Sequence, residues 1–143
     1  MTRNLTLGAE DAADLEVISA RLQDAVAQVK DLVYLPKRRR FAALFNRFQW
    51  EVGRGDLRVR SGLHFDGVLA VKSRNLKRGA PDAVVALLAI RFKPRMADDP
   101  AGTVELIFSG GGVIKLDVEC IDAGLSDVSG VWAARGRPAH EDT

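Results

Sequence analysis

The chain holds one cysteine, Cys120, and two histidines, His64 and His140. A single thiol excludes an internal disulfide, and one thiol with two imidazoles is too few for a recognisable zinc signature. The sequence therefore places Cys120 as a small core residue in a reducing compartment. Long apolar runs are also missing. The longest, AVVALLAI at 83–90, falls far short of the roughly 18 residues that a membrane span needs. The opening MTRNLTLGAEDAADLE has no apolar core and turns acidic at Glu10, unlike a secretory signal. These absences point to a cytoplasmic protein, with no cofactor or metal implied and no catalytic residue singled out.

The chain does have enough length and oil for one core. Its 143 residues are 47% apolar and 28% charged, ordinary for a soluble domain that needs no staple. We expect one globular domain over 1–132 and a flexible tail over 133–143, with Trp132 anchoring the domain's end. The net charge of +2 conceals a strong polarity: residues 37–78 carry +9, whereas 1–36 carry −3 and 79–143 carry −4. Such asymmetry marks either an acidic partner or a fold that sets basic strands beside acidic ends.

The densest cationic stretch is KRRRFAALFNRFQW at 37–50. An RNA-recognition strand would place a glycine after the basic residue and alternate its aromatics on an exposed sheet. Here Phe41 follows Arg40 directly, so the stretch reads as a charged turn feeding a buried strand. Phe41, Ala43 and Phe45 alternate as strand residues. Phe41, Leu44, Phe45 and Phe48 would also fit a helical face, but Pro-Lys-Arg-Arg resembles a hairpin turn after the strand DLVYL (31–35) and favours a strand over 40–48. The change of face from Phe45 to Phe48 predicts a bulge at Asn46–Arg47.

Further elements follow from periodicity. Asp11 as cap, Asp14 in the first turn, and Leu15, Ile18, Leu22 and Ala25 predict an amphipathic helix over 11–27. LRVRSGLHF (57–65) sends Leu57, Val59, Leu63 and Phe65 to one face and Arg58, Arg60 and His64 to the other. Asp66-Gly67 is a hairpin signal, and VLAVKS (68–73) would return with Phe65 opposite Leu69 and Leu63 opposite Val71. In that register Arg58, Arg60, His64, Lys72 and Arg74 share one face, and Arg60 stands opposite Arg74, which calls for an acid nearby such as Glu105, Asp117 or Glu119. VVALLAIRF (84–92) reads as a central strand. TVELIFS (103–109) and VIKLDVE (113–119) are strands joined by the glycines at 110–112, which make a turn and not a phosphate cradle. Ile121, Leu125 and Val128 predict a short closing helix over 120–129.

About seven strands with short links require a mainly antiparallel sheet. The fold class is thus α+β: a single-domain half-barrel or sandwich, comparable to a pleckstrin-homology domain by element order, with an N-terminal and a short C-terminal helix. Taken together, LEVISARLQDAV, VYLPKRRRFAALFNRFQWE, LHFDGVLAVKSRNL, LLAIRF, GTVELIFSGGGVIKLDVECI and RPAHE resemble an uncharacterised bacterial domain family, DUF2948. The resemblance implies a small stand-alone cytoplasmic bacterial protein and assigns no catalytic residue, cofactor or substrate.

The residues therefore point first to a non-catalytic protein-interaction module that uses the basic face of Arg58, Arg60, His64, Lys72 and Arg74. The alternative is an anion-binding domain whose ligand is nucleic acid or an acidic lipid head group. An enzyme ranks third, because Ser61 falls on the strand face opposite His64 and cannot form a triad with it.

Overall fold

The helix α1 (Ala12–Leu22) starts where its cap is encoded: the Asp11 carboxylate accepts the Asp14 amide at 2.8 Å, and the Asp14 carboxylate accepts the Glu10 amide at 3.2 Å. Such reciprocal bonds satisfy donors that a helix start leaves open. Leu15, Ile18 and Leu22 are buried as their spacing dictates. The helix is shorter than the expected 11–27. Asp24 takes a left-handed conformation (φ 68°) and donates its amide to the Leu87 carbonyl, so Ala25 enters the core from a strand approach.

The computed structural model describes the backbone of residues 6–51 and 55–128, and the side chains of 6–47 and 58–128. The strands are β1 (Thr6–Ala9), β2 (Val26–Gln28), β3 (Leu32–Leu35), β4 (Arg40–Glu51), β5 (Gly55–Asp66), β6 (Val68–Arg74), β7 (Val84–Pro94), β8 (Gly102–Phe108), β9 (Val113–Val118) and β10 (Ala123–Asp127). Every pairing is antiparallel, in the order β1-β10-β5-β4-β2-β7-β8-β9-β6, with β3 on β4 beside β2. The short strand β2 ties the two halves, pairing with β4 at Asn46 and with β7 at Val84–Ala86. One apolar cluster fills the concave side, built on Phe41, Phe45, Phe65, Phe108, Leu106 and Leu116. The helix α1 lies along β7, where the Ser19 hydroxyl accepts the Ile90 amide at 2.9 Å; an edge amide that would be left unpaired is thereby satisfied.

Among the described residues the sheet's register shifts at two places. Leu87 faces Phe108 and Ala89 faces Ile107, leaving Leu88 as the extra residue; Val68 faces Val118 and Ala70 faces Asp117, leaving Leu69 extra. Both extra leucines are expelled to the surface, 45% and 46% exposed, as a bulge's local twist requires.

Several expectations are corrected. The described residues form ten strands, not about seven, and the closing helix expected over 120–129 is replaced by β10, which pairs with β5 and β1. The comparison with a pleckstrin-homology domain depended on that helix. No bulge interrupts Asn46–Arg47: β4 and β5 pair without a slip from Arg40↔Asp66 to Glu51↔Gly55, because Arg47 itself turns inward. Asp66-Gly67 does not close a hairpin. Both edges of β5 are already occupied by β4 and β10, so the chain turns a corner at Gly67 (φ 69°) and β6 pairs with β9. That corner is pinned by Val68 N–H donating to the Arg39 carbonyl and by Tyr34 O–H donating to the Val68 carbonyl. Cys120 is exposed and is not a core residue; Ile121 is the residue that turns inward there. Trp132 and the tail over 133–143 lie outside the described residues.

Candidate functional site

Since β4 and β5 bury Phe41, Ala43, Phe45, Val59, Leu63 and Phe65, the alternate residues Ala42, Leu44, Asn46, Arg58, Arg60, Gly62 and His64 face outward. On this convex face lies a groove of about 410 Å³ whose lining includes Val33, Ala42, Leu44, Gly62, His64 and Val128. A second cleft of about 450 Å³ contains Asn46, Arg58, Arg60 and Val84. Asp31 and Leu44 line both, so the clefts adjoin. Three of the chain's exposed large apolar side chains belong here: Val33 (40%), Val84 (62%) and Val128 (57%).

The groove is open because its floor is small. Gly62 sits in the interior of β5 with no positive φ. A Cβ built there would meet Val128 Cγ1 only at 3.8 Å and the Ser126 carbonyl at 4.0 Å, ordinary contacts. Neither backbone nor packing demands glycine, although glycine weakens a strand interior. The neighbouring Gly124 is different: its Cβ would lie 2.5 Å from His64 Cε1, so its absence is what lets the imidazole lie across β10. His64 Nε2 is 3.7 Å from Asp66 Oδ2. That carboxylate is held by Arg40 through bonds of 2.8 and 3.2 Å, and these hydrogen bonds, with the carboxylate's charge, raise Arg40 above its ordinary pKa.

The four cations and His64 predicted to share one ribbon face divide into two groups. Arg58, Arg60 and His64 lie together on β5, whereas Lys72 and Arg74 lie on β6, which is not a neighbour of β5. Arg60 therefore faces Asn46, not Arg74. Among the described residues Arg60, Lys72 and Arg74 have no ion pair. Lys72 stands opposite Lys115, Lys115 opposite Glu105, and Glu105 opposite Arg91. Of the three acids expected near the cations, Glu105 occupies this row: 8% exposed, it takes Lys93 at 3.5 Å and Lys115 at 3.7 Å. Replacing Glu105 by Gln leaves these cations facing one another. We expect a loss of about 1 kcal/mol in urea unfolding at low ionic strength, shrinking as salt screens the repulsion. A loss that is equal at low and high salt would show that Glu105 acts through packing alone.

On the concave side the sequence hid a polar cluster. Arg47 Nη2 donates to Asp127 Oδ2 at 2.7 Å, Arg47 Nε donates to Asp127 Oδ1 at 3.1 Å and Ser61 Oγ at 3.0 Å, and Ser61 Oγ donates to Asp127 Oδ1 at 2.6 Å. Ser61 is thus committed to this cluster and turned away from His64. The available signal was phase: Arg47 follows Phe45 by two, Ser61 precedes Leu63 by two, and Asp127 follows Leu125 by two.

Among the described residues no helix is long and apolar enough to cross a membrane. No curated protein and no solved structure matches the chain. A family model described as protein of unknown function, DUF2948, matches residues 5–140, and the chain belongs to that family.

Proposed function

We propose that the protein is a non-catalytic binding module of the bacterial cytoplasm that docks another protein on the convex face of β3, β4, β5 and β10. The observation that carries this reading is Gly62, a strand-interior glycine that neither φ nor packing requires and whose missing side chain leaves the groove open. An interior strand glycine often marks a bulge, a tight bend or close approach by a ligand or another backbone; the regular pairing of Gly62 with Leu44 leaves no bulge there, and the exposed Val33 and Val128 beside it suit an apolar contact.

Gly62→Phe would place a ring in the groove from a Cβ that meets nothing nearer than 3.8 Å. In affinity purification from native lysate, partners retained by the wild type are expected to be lost with Gly62→Phe and kept with a Lys72→Glu, Arg74→Glu double variant. Partners kept by Gly62→Phe would overturn the reading.

A second reading, an anion-binding face for nucleic acid or acidic lipid head groups, draws on Lys72 standing opposite Lys115. Directly opposed cations gain from an anion between them. Its mark would be steeply salt-dependent binding to a single-stranded oligonucleotide or to phosphatidylserine vesicles, abolished by Lys72→Glu with Lys115→Glu and untouched by Gly62→Phe.

A further inference from the structure

Resting on the docking reading above, we infer that the occupant is an extended peptide segment carrying a large apolar side chain and, two residues away, an aspartate or glutamate. The argument is one of register and charge. Gly62 and Arg60 face the same side of β5, two positions apart, a separation of about 6.6–6.8 Å along a strand. An extended peptide lying along β5 presents its side chains on one face at the same interval. A large apolar group then fills the space over Gly62, between Val33, Leu44 and Val128, while the next side chain on that face reaches Arg60 in the adjoining cleft.

Asp31 selects the backbone form. The residue lines both clefts where they join, and its side chain makes no ion pair among the described residues. A carboxylate only accepts hydrogen bonds, and an extended peptide brings free backbone N–H groups between its two anchoring side chains. A helix would have spent those donors internally.

The probe is a set of fluorescein-labelled heptapeptides titrated against the full chain by anisotropy. The parent is Gly-Ser-Trp-Ser-Glu-Ser-Gly; one relative has Glu replaced by Gln, and another has Trp and Glu adjacent. The parent should bind about fivefold more tightly than either relative at low salt, and Arg60→Gln should erase that preference while leaving the apolar contribution. Gly62→Phe should abolish binding of all three. If the three bind alike and Gly62→Phe still abolishes binding, the apolar–acid pairing is wrong while the docking face stands. If binding survives Gly62→Phe, or the parent shows none, both fail.

Discussion

Asp127→Ala is expected to destabilise the protein by about 3–5 kcal/mol, measured by urea denaturation. Arg47 is only 4% exposed, and the Asp127 side chain is fully buried. Removing the carboxylate strands a guanidinium in the core, where an uncompensated charge is far more costly than the pair was beneficial. Ser61 loses its acceptor at the same time. A triple variant, Arg47→Met with Asp127→Leu and Ser61→Ala, should recover most of the loss, because apolar groups of similar volume often replace a buried ion pair without cost. A loss below about 1 kcal/mol for Asp127→Ala would mean that Arg47 reaches water.

The cluster also bears on the convex face. Asp127 ends β10, and the next residue, Val128, donates its amide to the Arg60 carbonyl at 2.8 Å while its side chain lines the groove. Loosening β10 at Asp127 should therefore weaken docking as well as stability, whereas the apolar triple variant should restore both. The two faces of β5 are coupled through one strand end: Ser61 points in, Gly62 points out, and β10 closes over both.

What the sequence made legible was the strands with one clearly apolar phase. Phe41, Ala43 and Phe45 and their partners Leu63 and Phe65 are buried as alternation requires, as are Val104, Leu106 and Phe108 and their neighbours Ile114, Leu116 and Val118. The Gly110–Gly111 turn was legible too, with φ of 81° and 87°. Asp66-Gly67 misled because a two-residue signal specifies a reversal and says nothing about which strand receives the returning chain. Occupancy of both edges of β5 decided that, through contacts distant in sequence. Residues 120–129 misled because Ile121, Leu125 and Val128 fit a helical face, while the competing alternation Ile121, Ala123, Leu125, Asp127 was disguised by a buried acid. The same disguise hid Arg47. Of the candidate site, the shared face of Arg58, Arg60 and His64 could be read locally. Its floor could not, since Gly62 acquires meaning only once Ala42, Val33 and Val128 surround it.

Gly102→Ala should cost about 2–3 kcal/mol, against the direction that strand propensity alone would give. Gly102 faces Pro94 at the end of the β7–β8 ladder and has no positive φ, so alanine is free of backbone strain. Space is the constraint. A Cβ there would stand 2.3 Å from the Lys93 carbonyl oxygen and 2.8 Å from Phe92 Cζ. The ring could rotate aside, but the carbonyl belongs to a strand held on β8 at Lys93↔Thr103 and Phe92↔Val104, and moving it opens the ladder. Gly62→Ala supplies the control, because its nearest contact would be 3.8 Å. That variant should stay within about 0.5 kcal/mol of the wild type or gain slightly. Equal losses at the two positions would mean that Gly62 is a structural glycine as Gly102 is, and would remove the main reason for reading the groove above it as a binding site.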